Sequence, residues 1–257
     1  MASLPSPHLF PSAEAASKAL ASEIGELVAS RAATGQPVVL GLATGSTPIG
    51  LYAELVRLHR NGLSFANVTT FNLDEYLGLP RDHKESYWHF MHDHLFDHLD
   101  IPREKIHIPD GSIPEEDLPN YCSEYENAIA RSGGIDLQVL GIGRNGHIGF
   151  NEPGASSESY THVTTLNEIT IADAADSFGS PQNVPVRAIT MGVRTILEAR
   201  RVVLLAFGKS KAGIIRRALT PGVTSEVPAT YLQLHQDVSF FVDEEAGSGL
   251  REQLGPE

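Results

Sequence analysis

Residues 38–48 read VVLGLATGSTP, an apolar run followed by a glycine turn, two hydroxyl side chains and a proline. The run Val38–Leu42 is typical of a strand buried on both faces, since it shows no alternation with polar residues. Thr47 and Pro48 suit the N-cap and the first position of a helix. A turn between a strand and a helix directs N–H groups at an anion, so Gly45, Ser46 and Thr47 are candidate anion-binding residues.

Helix capping alone also explains this turn, because a cap needs only one hydroxyl. No G-x-x-x-x-G-K pattern is present, so a nucleoside triphosphate is not indicated. Residues Gly141–Gly146 match G-x-G-x-x-G. A dinucleotide site requires that motif to open a helix at once, and Gly149 and Pro153 oppose one. We therefore expect a loop that approaches a ligand closely.

Further strands and helices alternate along the chain. This alternation predicts an α/β fold, a single three-layer α/β/α domain over residues 1–257 with a mostly parallel, Rossmann-like open sheet. Residues 1–11 and about 246–257 are expected to be flexible. The predicted strands are Val68–Leu73, Ile135–Ile142, Ala188–Met191, Val202–Phe207, Val238–Val242 and the short Tyr231–Leu234, and the predicted helices include Ser86–His98 and Ser210–Leu219.

Composition narrows the possible functions. The chain has 257 residues, 41% of them hydrophobic, and a formal net charge of −13. Such an acidic surface disfavours nucleic-acid binding. The single cysteine, Cys122, excludes an intramolecular disulfide. No apolar run approaches a membrane span, and residues 1–11 carry no signal-peptide pattern, so we expect a cytoplasmic protein without a membrane partner.

Polar residues follow the predicted strands, at the edge where open parallel sheets bind ligands. Asp74 ends one strand, and a partly desolvated carboxylate there would have a raised pKa and could remove a proton from carbon. It could equally form a turn. Asn145, His147 and Glu152 lie in the loop after another strand. Imidazole exchanges protons near neutral pH and Glu152 could orient it, although a surface histidine with incidental neighbours is the alternative.

Two weaker features carry charge. Lys211 stands at the start of a predicted helix, where a lysine opposes the helix dipole. An anionic ligand would explain it, and so would simple solvation. His94 and His98 have the i, i+4 spacing that chelates a metal on one helix face. The apolar face of that helix leaves its histidines mostly solvated, so we expect no metal site.

Three segments carry a family resemblance: Gly41–Pro48, Phe71–Tyr76 and Gly143–Pro153. They resemble glucosamine-6-phosphate deaminase, and the likeness extends from about Val38 to Val242. The run Gly-His-Ile-Gly-Phe-Asn-Glu-Pro is very specific, whereas the Gly-Ser-Thr-Pro turn alone is not.

The resemblance implies conversion of glucosamine 6-phosphate and water to fructose 6-phosphate and ammonia, without an organic cofactor or metal. It implies that Asp74 moves a proton from C2 to C1. His147 would open the sugar ring, assisted by Glu152 and Asn145. Gly45, Ser46, Thr47 and Lys211 would hold the phosphate. The implied partner is thus a small phosphorylated amino sugar, bound by a monomer or a homo-oligomer.

One segment departs from the family pattern. Family members commonly carry a phosphate-binding arginine within the stretch that here reads Thr170–Gly179, and Asp176 falls at about that place. Two other functions stay open. A 6-phosphogluconolactonase-like hydrolase needs no carbon-acid base such as Asp74. A sugar-phosphate-binding regulatory domain would carry a DNA-binding helix-turn-helix, for which the residues before Val38 are too few and too acidic.

Overall fold

The computed structural model describes residues 5–250, and strands and helices alternate through most of that range. The strands are β1 (Ser6–Phe10), β2 (Val38–Leu42), β3 (Val68–Asn72), β4 (Asp74–Tyr76), β5 (Ile106–His107), β6 (Leu137–Leu140), β7 (His162–Thr165), β8 (Arg187–Thr190), β9 (Arg201–Ala206) and β10 (Val238–Asp243). The α-helices are α1 (Ala13–Ala33), α2 (Ile49–Arg60), α3 (Tyr87–His94), α4 (Leu118–Arg131), α5 (Glu168–Phe178), α6 (Val193–Leu197) and α7 (Ala212–Leu219).

Seven strands form a parallel sheet in the order β1-β10-β9-β6-β2-β3-β5. All five residues of β2 and all five of β3 are buried, which is why these strands are continuously apolar or uncharged. Side chains of α1 and α2 pack on one face of the sheet and those of α4, α6 and α7 on the other. The predicted α/β class and the mostly parallel open sheet are confirmed.

A second, antiparallel sheet of three strands has the order β4-β8-β7. From the sequence, Asp74 is expected at the end of the preceding strand and Ala188–Met191 as one more strand of the parallel sheet. Both assignments are wrong in detail. The chain leaves the parallel sheet after Asn72, and the next three residues pair with β8 instead.

Several local predictions also differ from the structure. Helix α2 begins at Ile49 with Pro48 as N-cap, and no side chain caps it, so Thr47 is not the N-cap. Helix α3 ends at His94 and a 3-10 turn covers Phe96–His98. The predicted strand Tyr231–Leu234 is wrong, because these residues lie in the 3-10 helix Pro228–Leu234.

The two ends of the described range are folded. Residues 6–10, expected to be flexible, form β1 and pair in register with 239–243 of β10. At the other end, Ala246–Gly249 form a 3-10 helix in which Ala246 is buried. The rest of the flexibility prediction, for residues 1–4 and 251–257, lies outside the described residues. Within residues 5–250, no helix is long and apolar enough to cross a membrane.

Candidate functional site

A cleft of about 480 Å³ opens at the carboxyl edge of the parallel sheet. Its walls come from the turn after β2, from β4, from the loop after β6, from α3 and α5, and from the turn after β9. Because β9, β6 and β2 are neighbours in the sheet, their carboxyl ends meet at this edge. The cleft therefore lies where open parallel sheets bind their ligands. Of the predicted site residues, six line it directly: Gly45, Ser46, Thr47, Asp74, His147 and Lys211.

Asp74 lies in the cleft wall with only 5% of its surface exposed. Strand β4 holds it opposite Thr190 of β8. Burial, followed by the like charge of Glu75, raises the pKa of Asp74 to about 8. The raised pKa expected from the sequence is therefore present. A carboxylate with that pKa is a stronger base near neutral pH than an ordinary aspartate.

The loop after β6 passes close to Asp74 at Gly149. This glycine has a φ of +55°, and a Cβ there would lie 3.4 Å from Asp74 Oδ2 and 3.0 Å from Thr190 Oγ1. Any larger residue would therefore be strained and would crowd the carboxylate. The backbone N–H of Phe150 donates to Thr190 Oγ1 over 3.0 Å and fastens the loop to the small sheet.

Glu152 is the centre of a hydrogen-bond network beside His147. Asn145 Nδ2 donates to Glu152 Oε2 over 2.8 Å, and His147 Nδ1 lies 3.4 Å from that same oxygen. Burial raises the pKa of Glu152, but its hydrogen bonds with His147 and Thr170 outweigh burial and bring it to about 2. Glu152 is therefore ionised at neutral pH and orients the imidazole through Nδ1, which leaves Nε2 for a ligand. The structure thus brings Asn145, Glu152 and His147 together in one network.

Helix α5 supplies two groups that sequence reasoning missed. Thr170 Oγ1 donates to Glu152 Oε1 over 2.6 Å and lies 3.3 Å from His147 Nδ1. The backbone N–H of Asn167 donates to Glu152 Oε1 over 3.1 Å. Asn167 before an apolar helix is a recognisable N-cap. No local pattern shows, however, that this helix start meets Glu152.

The G-x-G-x-x-G match opens no helix, as predicted, and its second glycine, Gly143, lies against the His147 ring. A Cβ at Gly143 would lie between 2.2 and 2.4 Å from atoms of the His147 ring. The backbone N–H of Gly143 donates to the carbonyl oxygen of His147 over 3.0 Å, which closes the loop on itself. Gly143 therefore makes room for the imidazole, in addition to lining the cleft.

We call the part of the cleft around Gly45, Ser46, Thr47 and Lys211 its anion side, and the part around Asp74, His147 and Glu152 its carboxylate side. Within residues 5–250, no protein group bonds the hydroxyl of Ser46 or Thr47, although capping predicted such a bond. Both hydroxyls therefore stay available to a ligand. Lys211 Nζ donates to the carbonyl oxygen of Ile142 over 2.7 Å, and burial lowers its pKa.

The aspartate of α5 that lines the cleft is not Asp176, which falls near the place of the family's arginine. Asp173, and not Asp176, lines the cleft on α5, together with Thr170, Ala174 and Ser177. Arg144 from the loop after β6 pairs with Asp173, with Nη2 2.6 Å from Oδ1. The structure thus places a second cation beside the anion side, held by the acidic group of α5. The spacing of residues along the sequence does not show that Arg144 pairs with Asp173.

The histidine pair considered as a metal site is not on one helix face. Helix α3 ends at His94, and His98 lies in the following 3-10 turn. His98 Nε2 is 2.8 Å from the carbonyl oxygen of Asp93. The i, i+4 spacing therefore does not produce the helical geometry that chelation requires.

The chain matches the family model described as glucosamine-6-phosphate isomerases/6-phosphogluconolactonase over residues 11–240. It is 49% identical over 230 residues to the glucosamine-6-phosphate deaminase of Thermoanaerobacter sp. (strain X514), covering 89% of this chain and 90% of that protein. The deaminase of Clostridium botulinum strain Langeland is 43% identical over 233 residues, covering 90% and 95%.

Solved structures agree with these relatives. A monomeric glucosamine-6-phosphate deaminase of the NagB superfamily superposes with a TM-score of 0.90 at 44% identity, covering 94% of this chain and 98% of that one. The 6-phosphogluconolactonase of Trypanosoma cruzi superposes with a TM-score of 0.78 at 26% identity, covering 97% and 98%. The family match, the relatives and the shared fold lead to one conclusion: this chain belongs to the family of glucosamine-6-phosphate isomerases and 6-phosphogluconolactonases.

Proposed function

We propose that this protein is a glucosamine-6-phosphate deaminase, which converts glucosamine 6-phosphate and water to fructose 6-phosphate and ammonia. The observation that carries the proposal is the buried Asp74 carboxyl in the same cleft as the His147–Glu152 pair. A lactonase needs one group to activate water, whereas moving a hydrogen between two carbons needs a separate carbon-acid base. Asp74 is that additional group.

The first step of the reaction opens the pyranose ring. His147 removes the proton of the C1 hydroxyl and returns a proton to the ring oxygen, which yields the open-chain aldehyde. The Glu152 carboxylate stabilises the imidazolium that forms between these two transfers. Asn145 and Thr170 hold that carboxylate from two sides, so the imidazole is already oriented before substrate binds.

The second step moves hydrogen from C2 to C1. The aldehyde acidifies the C2–H bond; Asp74 takes that proton while the C1 oxygen gains one from water, which gives an enolamine. The same carboxyl returns its proton to C1 while the amine loses one to water, which leaves a C1 hydroxyl and an imine at C2. Water adds to the imine carbon and ammonia departs, so fructose 6-phosphate is the product. Each step uses protein side chains and water alone.

The anion side of the cleft holds the substrate phosphate in this proposal. The hydroxyls of Ser46 and Thr47 and the N-terminus of α2 provide hydrogen-bond donors and a positive dipole end. Lys211 adds a charge-assisted hydrogen bond. The rigid placement of these groups on turns that directly follow β2 and β9 sets the distance from the phosphate to the reacting carbons.

The decisive assay compares three compounds with the purified protein. We expect ammonia release from glucosamine 6-phosphate, much slower release from unphosphorylated glucosamine, and little acid release from 6-phosphogluconolactone. Lactone hydrolysis faster than ammonia release would overturn the proposal in favour of the hydrolase. Binding of glucosamine 6-phosphate without turnover of either compound would indicate a regulatory sugar-phosphate-binding domain.

The proposal also includes the cellular location and the oligomeric state of the protein. The acidic, cysteine-poor chain is expected to work in the cytoplasm on a small phosphorylated sugar and without nucleic acid. The monomeric solved relative favours a monomer over a homo-oligomer. Sedimentation at the concentration used for the assay distinguishes the two states.

A further inference from the structure

Glu75 is a buried acid that the proposed reaction does not use. It follows Asp74 in β4 and is 2% exposed. Successive side chains of a strand point to opposite faces, so Glu75 lies behind the strand while Asp74 faces the cleft. The cleft lining includes Asp74 and excludes Glu75, in agreement with this alternation.

The Glu75 carboxylate accepts three backbone N–H groups. Oε1 accepts from Tyr76 over 2.9 Å and from Tyr87 over 3.0 Å, and Oε2 accepts from Trp88 over 2.9 Å. Tyr87 and Trp88 are the first two residues of α3, where N–H groups have no partner within the helix. Glu75 therefore fastens the start of α3 to the strand that carries Asp74.

Helix α3 forms part of the cleft wall beside Asp74. Tyr87 and Phe90 line the cleft, and the Tyr87 ring packs against Tyr76 and Phe150 with centroids 5.0 and 6.0 Å apart. A shift of the first turn of α3 would move these rings and change the packing around the base. The hydrogen bonds of Glu75 thus control the shape of the cleft next to Asp74.

The charges around Glu75 are mostly acidic. Asp74 lies next to it in β4, and Asp110 acts on it from the segment after β5, although Asp110 is itself paired with Arg81 at 2.9 Å. Tyr76 and Tyr87 meet Glu75 through their backbone N–H groups, while the neutral phenol side chains of both residues line the cleft. Burial raises the pKa of Glu75 to about 7, even though its three N–H donors act in the opposite direction.

The tyrosines Tyr52 and Tyr125 approach Asp74 from α2 and α4, and burial raises the pKa of both. They are neutral throughout the working pH range. Within residues 5–250, neither Asp74 nor Glu75 forms an ion pair with a lysine, arginine or histidine. The charge of Glu75 therefore acts on Asp74 without compensation by an ion pair.

We propose that Glu75 is a positioning residue: its carboxylate fixes the first turn of α3 against β4, and its charge opposes ionisation of Asp74. The inference rests on the proposed function, because it takes Asp74 as the base. Both effects act on turnover more than on substrate binding. Glu75 itself touches neither substrate nor the reacting atoms.

The pH dependence of turnover separates this role from simple structural support. Asp74 must be ionised to act, so kcat rises with pH through its pKa. Replacing Glu75 by glutamine removes the like charge and lets Asp74 ionise at lower pH. We expect the acid limb of the kcat profile of Glu75→Gln to move down by about one pH unit, with a lower plateau.

Matched variants identify the cause of that shift. Glu75→Asp keeps the charge and shortens the reach to α3, so kcat should fall while the acid limb stays in place. Glu115→Gln removes an exposed carboxylate that pairs with Arg187, and it should leave the limb where it is. A Glu75→Gln limb that coincides with the wild-type limb would overturn the inference. Absence of ammonia release by the wild type would instead contradict the proposed function.

A second measurement needs no turnover. Trp88 is the only tryptophan of the chain, and its N–H donates to Glu75. We expect the fluorescence of Trp88 to change with pH around the titration of Glu75. Because His92 stacks on Trp88 with centroids 3.9 Å apart, the titration is repeated in His92→Gln. A transition that persists in His92→Gln and disappears in Glu75→Gln supports the inference, whereas a transition that persists in Glu75→Gln would overturn it.

Discussion

On the carboxylate side of the cleft the protein holds Glu152 in a hydrogen-bond network, whereas on the anion side it leaves the two turn hydroxyls open. Glu152 has partners in Asn145, Asn167, Thr170 and His147. The hydroxyls of Ser46 and Thr47, at the other side, have no protein partner within residues 5–250. Ser46 is exposed, whereas Glu152 and Asp74 are buried.

This difference matches the demands of the two sides. Proton transfer requires groups aligned before the substrate arrives, because reorganisation during the reaction raises the barrier. A phosphate brings its own charge and its own acceptor oxygens, so donors on an open turn can bind it on arrival. We therefore expect changes on the carboxylate side to lower kcat and changes on the anion side to raise KM.

The largest expected effect tests the carboxylate side. Asp74→Asn removes the base while keeping size and shape, so kcat should fall at least ~10²-fold with KM nearly unchanged. Steady-state ammonia release from glucosamine 6-phosphate measures both constants. Asp173→Asn is the matched control, since it neutralises a cleft-lining carboxylate outside the proposed chemistry. A near-normal kcat in Asp74→Asn would show that Asp74 is not the base and would contradict the proposed difference between the two sides.

The next effect tests the anion side. Lys211→Ala removes one charge-assisted hydrogen bond, worth roughly 1.5–3 kcal/mol, so KM should rise ~10- to 100-fold. The preference for glucosamine 6-phosphate over glucosamine should fall by a similar factor. Lys84→Ala is the control, because that side chain lines the cleft but is 77% exposed. An unchanged KM in Lys211→Ala would mean that another cation, such as Arg144, binds the phosphate.

A smaller effect sharpens the role of α5. Thr170→Val removes the 2.6 Å hydrogen bond to Glu152 at nearly constant volume. Losing one hydrogen bond to a charged group costs about 1.5 kcal/mol, so kcat should fall about tenfold while KM changes little. Thr170→Ser keeps the hydroxyl and should recover most of the activity. A rise in KM alone would assign Thr170 to the anion side instead.

The smallest effect concerns stability. Because the pKa of Asp74 is raised to about 8, the folded state keeps a proton that the unfolded chain loses near its usual pKa of 3.8. Stability due to this group is therefore full below that pKa and decreases as pH rises toward 8. Asp74→Asn removes this penalty, so Tm at pH 8 should rise by about 2–8 °C.

Calorimetry at two pH values tests that sign. The gain in Tm should shrink strongly near pH 4.5, because that pH lies much closer than pH 8 to the usual aspartate pKa of 3.8 in the unfolded chain. Asp173→Asn, which replaces a more exposed carboxylate, should show no comparable gain at pH 8. Equal Tm values for wild type and Asp74→Asn at pH 8 would mean that burial of Asp74 carries no stability cost.

Much of the fold and of the site was predictable from the sequence. Continuous apolar runs such as Val38–Leu42 identify strands buried on both faces, and their order predicts a parallel sheet. Since the carboxyl ends of such strands share one edge, the residues after them are expected to meet. Asp74, His147 and Ser46 do line one cleft.

Only the tertiary structure decided which groups support these residues. Thr170 lies 18 positions from Glu152, and Arg144 lies 29 positions from Asp173. The helical period indicates which residues share a face of α5 but not the direction of that face. That direction depends on how the helix packs against its neighbours, which is why Asp176 was expected at the cleft and Asp173 lines it.

The sequence by itself determined β2, β3, β6, β9 and β10 of the parallel sheet and the residue types at its carboxyl edge, because periodicity and turn chemistry are local properties. It missed the edge strands β1 and β5. The antiparallel sheet of β4, β8 and β7 was decided by long-range pairing, since a three-residue strand such as Asp74–Tyr76 carries too short a pattern to be recognised. The same pairing buries Asp74 beside Glu75. The proton affinity of Asp74 therefore depends on tertiary burial, whereas the presence of a carboxylate at this position is a property of the sequence alone.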